Sequence, residues 1–180
     1  MKDLVALIEQ YRPGFASGLA PATDQALGAL LRRAGPIPGA YLRFLQTMGG
    51  KPNALQLESV HLGIHEALKA HLGRPLLRDA RFMYLAHDRG DDVLEYWMDR
   101  EAPVGEDDCV IVVGESESES AIVRKPFPAS LEDFLHFHAF VDHVVPSFEH
   151  SQWGYLPRHH SPDAVGLALN VPLTIGFTRR

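Results

Sequence analysis

Apolar residues recur every three to four positions through the first part of the chain, and this spacing predicts three helices. The first helix covers residues 3–11, where Asp3 and Glu9 interrupt the apolar pattern. The second begins at Thr23 or Asp24, which are both good N-cap residues, and ends before a Gly-Pro pair. The N-terminal fifty residues are therefore predicted to be mainly helical.

Residues 37–50 contain the third helix, which has the most sharply delimited pattern of the chain. Pro38 suits a first helical turn, since its fixed φ is compatible with a helix and its missing N–H would have no partner there. Gly49 and Gly50 are predicted to end the helix through a left-handed cap. One face carries the bulky residues expected in the core: Tyr41, Phe44, Leu45 and Met48.

Beyond residue 50 the apolar pattern shortens to the alternation typical of strands. The predicted strands cover residues 54–57, 59–62, 81–87, 93–99, 109–113 and 121–124. Because residues 109–113 are continuously apolar, we expect that strand to lie inside the sheet. Residues 115–120 alternate Glu and Ser and are predicted to form a solvent-facing loop or hairpin end before the last strand, which Pro126 ends.

Two further helices are predicted, over residues 64–72 and from Ser130 onward, where Ser130 is the N-cap. Together the elements predict an α+β fold, with N-terminal helices and a late helix packed on a mostly antiparallel sheet. The length of the chain predicts one domain over residues 1–180. From residue 145 to 180 the periodicity fades, and we expect an irregular extension that packs on this domain.

The composition is that of a soluble globular protein, with 46% hydrophobic and 22% charged residues. No apolar run has the length of a membrane span, and the amphipathic start does not resemble a signal peptide, so a cytoplasmic protein is expected. Cys109 is the single cysteine, which excludes an intrachain disulfide and agrees with a reducing compartment.

Charge is distributed unevenly along the chain. The formal net charge of −6 argues against a protein that mainly binds nucleic acid, because phosphate neutralisation needs a basic surface. Residues 88–119 hold twelve acidic and two basic side chains, for a local charge of −10, so the rest of the chain carries +4. The acidity therefore belongs to the middle of the chain.

Clustered carboxylates beside aromatic residues predict a surface for a basic protein partner. On the strand at 93–99, Glu95, Trp97 and Asp99 share one face, and we expect that face to be exposed. The alternative is a solvated hairpin edge whose charge discourages edge-to-edge pairing. The predicted partner-binding residues are Asp88, Asp91, Asp92, Glu95, Trp97, Asp99, Glu115, Glu117 and Glu119.

Motifs for catalysis or cofactor binding are not recognisable in the sequence. It lacks HExxH, paired CxxC and a phosphate-binding loop, and the segment around Ser116 has Ser118 where GxSxG needs glycine. A buried position in an apolar strand predicts a raised pKa and poor access for Cys109. We therefore predict no catalytic residue, no metal and no cofactor. The alternatives are a regulatory scaffold or a metal- or small-ligand-dependent enzyme that uses His61, His65, His87 and His136.

Three segments in this order resemble the SUKH superfamily: IPGAYLRFLQTMGG at 37–50, FMYLAHDRGDD at 82–92 and SLEDFL at 130–135. The resemblance covers residues 23–140, and Met48, Arg89 and Leu131 depart from the family pattern. It implies helices packed on a mostly antiparallel sheet. Many bacterial members are immunity proteins that neutralise a cognate toxin, often a nuclease, and fungal relatives are cell-wall regulators.

The resemblance and the acidic middle of the chain together predict a non-enzymatic binding protein, most specifically an immunity protein. Its acidic surface is expected to cover the basic active face of a toxin domain. The predicted partner is thus a protein, and neither nucleic acid nor a membrane. The sequence makes no prediction of the oligomeric state.

Overall fold

A computed structural model of the chain describes residues 1–58, 60–73, 81–88, 94–118 and 121–147, with backbone alone for 73, 115–118, 121–129 and 147. In this part of the chain the α-helices are α1 (Lys2–Tyr11), α2 (Asp24–Ala34), α3 (Gly39–Thr47), α4 (Ile64–Gly73) and α5 (Leu131–Ala139). The β-strands are β1 (Val60–Leu62), β2 (Phe82–Asp88), β3 (Leu94–Val104), β4 (Asp108–Ser118) and β5 (Ala121–Ser130).

The five strands form one sheet in the order of the sequence, and each pairs with its neighbour in antiparallel fashion. One face of this sheet packs against α5 and the N-terminal helices. The Tyr96 ring of β3, for example, meets the Phe134 ring of α5 edge-on, with centroids 4.9 Å apart. The predicted α+β fold, with N-terminal helices, a late helix and an antiparallel sheet, is therefore confirmed.

Helix α3 is a core element, as predicted. Its Tyr41, Phe44 and Leu45 side chains are fully buried. Pro38 is the N-cap rather than the first helical residue, since its ψ of 140° is extended. The face predicted from the spacing of apolar residues is thus the face that the helix buries.

The predicted left-handed cap at Gly49 and Gly50 is wrong, because neither glycine has a positive φ. At both positions the surrounding atoms leave no room for a side chain, which explains why the residues are glycines. A Cβ on Gly49 would lie 2.7 Å from the Cα of Leu45, and one on Gly50 would overlap the carbonyl oxygen of Pro21. These contacts are shorter than van der Waals contact, so the backbone after α3 packs where a side chain has no room.

The strand predicted at 54–57 is also wrong, because this segment turns. Asn53 and Gln56 have positive φ values of 48° and 54°. The Asn53 side chain accepts a hydrogen bond from Leu57 N at 3.0 Å and donates one to Leu57 O at 2.7 Å. Asparagine stabilises turns by such local bonds, which here override the weak alternation.

Strands β4 and β5 are longer than predicted. The backbone of residues 115–118 continues β4, whereas the sequence predicted a loop or hairpin end there. Pro126 does not end β5, which runs on to Ser130. Among the described strands β5 lies at the edge of the sheet, the position in which a strand best tolerates proline.

Both predicted N-caps are confirmed. The Thr23 hydroxyl accepts a hydrogen bond from Ala26 N at 3.2 Å, and the Ser130 hydroxyl accepts one from Asp133 N at 3.1 Å. After α5 the chain continues as a π-helical turn (Phe140–Val144) and a short 3₁₀ turn (Val145–Ser147). The predicted extension otherwise lies outside the described residues.

Candidate functional site

The alternating side chains of β3 share one face of the sheet, but that face is not exposed. The exposed fraction is 6% for Glu95, 0% for Trp97 and 5% for Asp99. Asp88, at the end of β2, is 3% exposed. The expectation that this strand face is free for a partner is therefore wrong.

Trp97 belongs to a second apolar cluster, on this face of the sheet. Its ring meets the Tyr84 ring edge-on at a centroid distance of 5.2 Å, and Val112 completes the cluster. Half-buried Ala70 of α4 packs against the same cluster. Alternation along a strand is typical of a sheet with one solvated face, whereas this sheet is packed on both faces at its centre.

Asp99 is committed to the fold by a two-pronged ion pair. Arg81 donates from Nε at 2.8 Å and from an Nη at 2.7 Å to the two carboxylate oxygens of Asp99. The backbone N–H of Glu101 adds a third hydrogen bond at 3.1 Å. A carboxylate that accepts three hydrogen bonds in a buried position serves the structure, so we exclude Asp99 from the candidate partner surface.

The other predicted partner-binding residues are only partly visible. Glu115 and Glu117 lie on β4, where the backbone alone is described, and Glu115 is opposite Leu94 of β3. Asp91, Asp92 and Glu119 lie outside the described residues. Their role in binding a partner stays a prediction.

An exposed acidic surface does form, at the turn between β3 and β4 and the adjacent first turn of α5. We call it the hairpin-end acidic surface. It consists of four solvent-exposed carboxylates: Glu106, Asp107, Glu132 and Asp133. The first two belong to the acidic stretch of the sequence but are not among the predicted partner-binding residues, and neither are Glu132 and Asp133, which the sequence places at the start of a helix.

Asp108 brings the two halves of this surface together. Its Oδ1 accepts hydrogen bonds from Cys109 N at 2.7 Å and Leu131 N at 3.2 Å. Its Oδ2 accepts one from Glu132 N at 3.2 Å. The carboxylate thus satisfies amides at the start of α5, which have no partner within the helix, and fixes the turn against it.

Helix α3 holds the same turn from the other side. Arg43 forms an ion pair with Asp107, with Nη2 at 3.2 Å from Oδ1 and a second contact from Nη1 to Oδ2. The hydrogen bond from Arg43 lowers the pKa of Asp107. Ala40 N also donates to the Asp107 carbonyl oxygen at 2.9 Å. The turn is therefore anchored to the N-terminal half of α3, the helix with the most recognisable sequence pattern.

The four histidines of the alternative hypothesis do not form one group. His61 and His87 are cross-strand partners whose rings stack at a centroid distance of 5.6 Å. His65 instead hydrogen-bonds through Nε2 to the Gly50 carbonyl oxygen, and His136 bonds through Nδ1 to the Glu132 carbonyl oxygen. Within the described ranges, no three His, Cys, Asp or Glu side chains are arranged to hold a metal ion.

A β-bulge in β2 creates the environment of His87. The register shifts between Tyr84 and Ala86, so that Leu85 and Ala86 both join the helix-side core. Tyr84 and His87 consequently share the opposite face, although they are three residues apart. The Tyr84 hydroxyl and His87 Nδ1 are hydrogen-bonded at 2.9 Å. No periodic pattern in the sequence predicts this pairing.

Cys109 has the inert character that the sequence predicted. It is 3% exposed, and burial, followed by the charges of Asp108 and Asp99, raises the pKa of its thiol to about 12. The thiol stays protonated at neutral pH, so it is a poor nucleophile and a poor metal ligand.

No family model matches the chain, and comparison with characterised proteins and with solved structures gave no match. The resemblance to the SUKH superfamily stays a prediction. In the described part of the chain, no helix combines the length and the apolar character needed to cross a membrane.

Proposed function

We propose that the chain is a non-enzymatic binding protein, specifically an immunity protein that neutralises a cognate toxin domain by covering its basic active face. The observation that carries this proposal is the hairpin-end acidic surface, where four exposed carboxylates come from two segments that are distant in the sequence. The motif resemblance and the helix and strand order support the immunity role.

A basic partner follows from the sign and location of the charge. A nuclease must neutralise phosphate groups, so its substrate-binding face carries lysine and arginine side chains. Exposed carboxylates on the inhibitor accelerate encounter with such a face and favour the correct orientation. Neither nucleic acid nor a membrane with anionic lipids offers the charge that this surface attracts.

The surface is also held in place before any partner binds. Asp108 ties the turn to α5, and Ala40 together with Arg43 ties it to α3. Rigid loops lose less conformational entropy on binding than mobile loops do. Val104, next to the turn and 39% exposed, supplies an apolar contact within the charged surface.

Charge reversal at two exposed positions tests the proposal. The double variant Glu106→Lys/Glu132→Lys leaves the hydrogen bonds of Asp108 and Asp107 in place. The matched control is Asp3→Lys/Glu58→Lys, because Asp3 lies in the first turn of α1 as Glu132 does in α5, and Glu58 is an exposed loop residue.

The assay co-expresses the chain with the product of the neighbouring gene, where a cognate toxin is expected, and scores rescue of growth. The Kd of the purified pair is then measured at increasing salt. We expect the wild type and the control to rescue growth. The Glu106→Lys/Glu132→Lys variant is expected to bind at least tenfold more weakly and with a smaller salt dependence. Equal rescue and an equal salt dependence for both double variants would refute the acidic-surface mechanism, and absence of any complex would refute the immunity role.

A further inference from the structure

We infer that two copies of the chain bind each other, in a two-fold symmetric dimer, through the end of the molecule where α2 lies beside the β3–β4 hairpin. We call this end the link surface. It presents six exposed side chains: Leu31, Arg32, Arg33, Val104, Glu106 and Glu132. The inference stands apart from the proposed immunity function, because it concerns the chain alone.

The link between α2 and α3 runs along the β3–β4 hairpin. At one end of the link, Arg100 Nη1 donates hydrogen bonds to the carbonyl oxygens of Ala34 at 2.6 Å and Pro36 at 3.0 Å. At the other end, Ala40 N donates to the carbonyl oxygen of Asp107 at 2.9 Å. The last turn of α2 and the hairpin-end acidic surface are therefore neighbours on one side of the molecule.

Exposed apolar side chains are concentrated at this end. Leu31, in the last turn of α2, is 51% exposed, and Val104, at the end of β3, is 39% exposed. Leu72 is 65% exposed and lies at the end of α4, which packs beside α2. Three of the four large hydrophobic residues that are exposed in the described part of the chain thus lie on these elements. Exposed apolar groups that lie together are typical of a protein contact surface.

The link surface carries opposite charges side by side. Arg32 and Arg33 are exposed, and among the described residues neither forms an ion pair. No acidic residue lies within four positions of either arginine in the sequence, so α2 itself cannot neutralise them. A short distance along the link, Glu106 and Glu132 are exposed in the hairpin-end acidic surface.

This arrangement is complementary to itself. In a two-fold contact each pairing occurs twice, so the arginines of one copy meet the carboxylates of the other, and the reverse. Val104 and the exposed Pro36 lie between the two charged groups, and therefore near the symmetry axis. An apolar centre with a charged rim is the usual anatomy of a protein interface. A partner of a single charge sign would match only half of this surface, whereas a second copy matches both halves.

Sedimentation equilibrium of the untagged full-length chain, over a range of protein and salt concentrations, tests the dimer. We expect the average mass to rise toward twice that of one chain as the concentration increases, with weaker association at high salt. Arg32→Glu/Arg33→Glu and Glu106→Lys/Glu132→Lys should each dimerise at least tenfold more weakly. The matched control Asp3→Lys/Glu58→Lys has the same net charge as the second variant and should dimerise as the wild type does.

A charge swap keeps the test independent of any folding defect. When the two reversed variants are mixed in equal amounts, the intact carboxylates of one face the intact arginines of the other, and the two reversed halves face each other with opposite signs. We expect the mixture to dimerise although neither variant does so by itself.

Three results would each overturn the inference: a wild type that stays monomeric at all concentrations, wild-type association in either reversed variant, or a mixture that stays monomeric. None of these measurements involves the toxin, so their failure is distinct from failure of the immunity proposal. Since the same carboxylates serve both contacts, the dimer and the toxin complex are expected to exclude each other.

Discussion

His71, a partly buried residue beside the β2 bulge, makes the stability of the fold depend on pH. Its Nε2 accepts the backbone N–H of Tyr84 at 3.3 Å, which requires that this nitrogen be unprotonated. Burial, followed by the positive charge of Arg100, lowers the pKa of His71 from 6.5 to about 4. The folded protein therefore holds this imidazole neutral under conditions in which the unfolded chain protonates it.

The sign of the effect follows from proton linkage. The stability conferred by the neutral ring is complete above pH 6.5 and is lost as the pH falls toward 4, since the unfolded chain binds the proton first. Between about pH 7.5 and pH 5 this difference in pKa corresponds to about 2 kcal/mol. Because the His71 side chain is only partly buried, solvent screening reduces the expected loss to about 1 kcal/mol.

Urea unfolding of the wild type and of His71→Gln at the two pH values measures this contribution. The amide oxygen of glutamine can still accept the Tyr84 N–H, but the side chain does not titrate. Carboxylates that titrate in the same range affect both proteins equally. We expect the wild type to lose about 1 kcal/mol more than His71→Gln on acidification. Equal losses would show that His71 is not held neutral by the fold.

Three further predictions concern stability measured by urea unfolding. The Tyr41 hydroxyl is fully buried and has no hydrogen-bond partner among the described residues. Tyr41→Phe should therefore leave the free energy of unfolding unchanged or raise it by about 1 kcal/mol. A decrease of more than about 1 kcal/mol would show that the hydroxyl does have a partner. Gly63→Ala should lower the free energy of unfolding by more than about 2 kcal/mol, because φ is +147° and the new Cβ would lie 2.9 Å from the Lys51 carbonyl oxygen. The control Gly18→Ala adds a Cβ in open space and should leave the stability unchanged. Asp108→Ala should cost about 1–2 kcal/mol by removing the side-chain acceptor at the start of α5, and an unchanged midpoint would contradict that role.

Local interactions account for the elements that the sequence predicted well. The caps at Thr23 and Ser130 bond to amides three residues away, so the residues that decide each helix start are adjacent in the sequence. The buried face of α3 follows from helical spacing alone. The errors occurred where local patterns were weak or incomplete, as at 54–57, where the Asn53 side chain stabilises a turn instead of a strand.

Burial of the candidate surface was not predictable from the sequence in the same way. Alternation along β3 correctly assigned Trp97 and Asp99 to one face, but it carries no information on whether a second layer covers that face. The structure shows that Trp97 packs with Tyr84 and that Arg81 binds Asp99. The acidic surface therefore lies at the hairpin end, and not along the strand where the sequence placed it.

The sequence by itself determined the helices and most strands, the α+β class and the acidic character of the middle of the chain, because each depends on residue type and short-range spacing. Only the tertiary structure decided which carboxylates are exposed, because exposure depends on contacts between distant residues. Asp108, for example, bonds to the start of α5, which is 23 residues away in the sequence. The tertiary structure also decided that His61, Tyr84 and His87 come together. The one-residue bulge in β2 places Tyr84 and His87 on the same face, and the pairing of β1 with β2 places His61 beside His87.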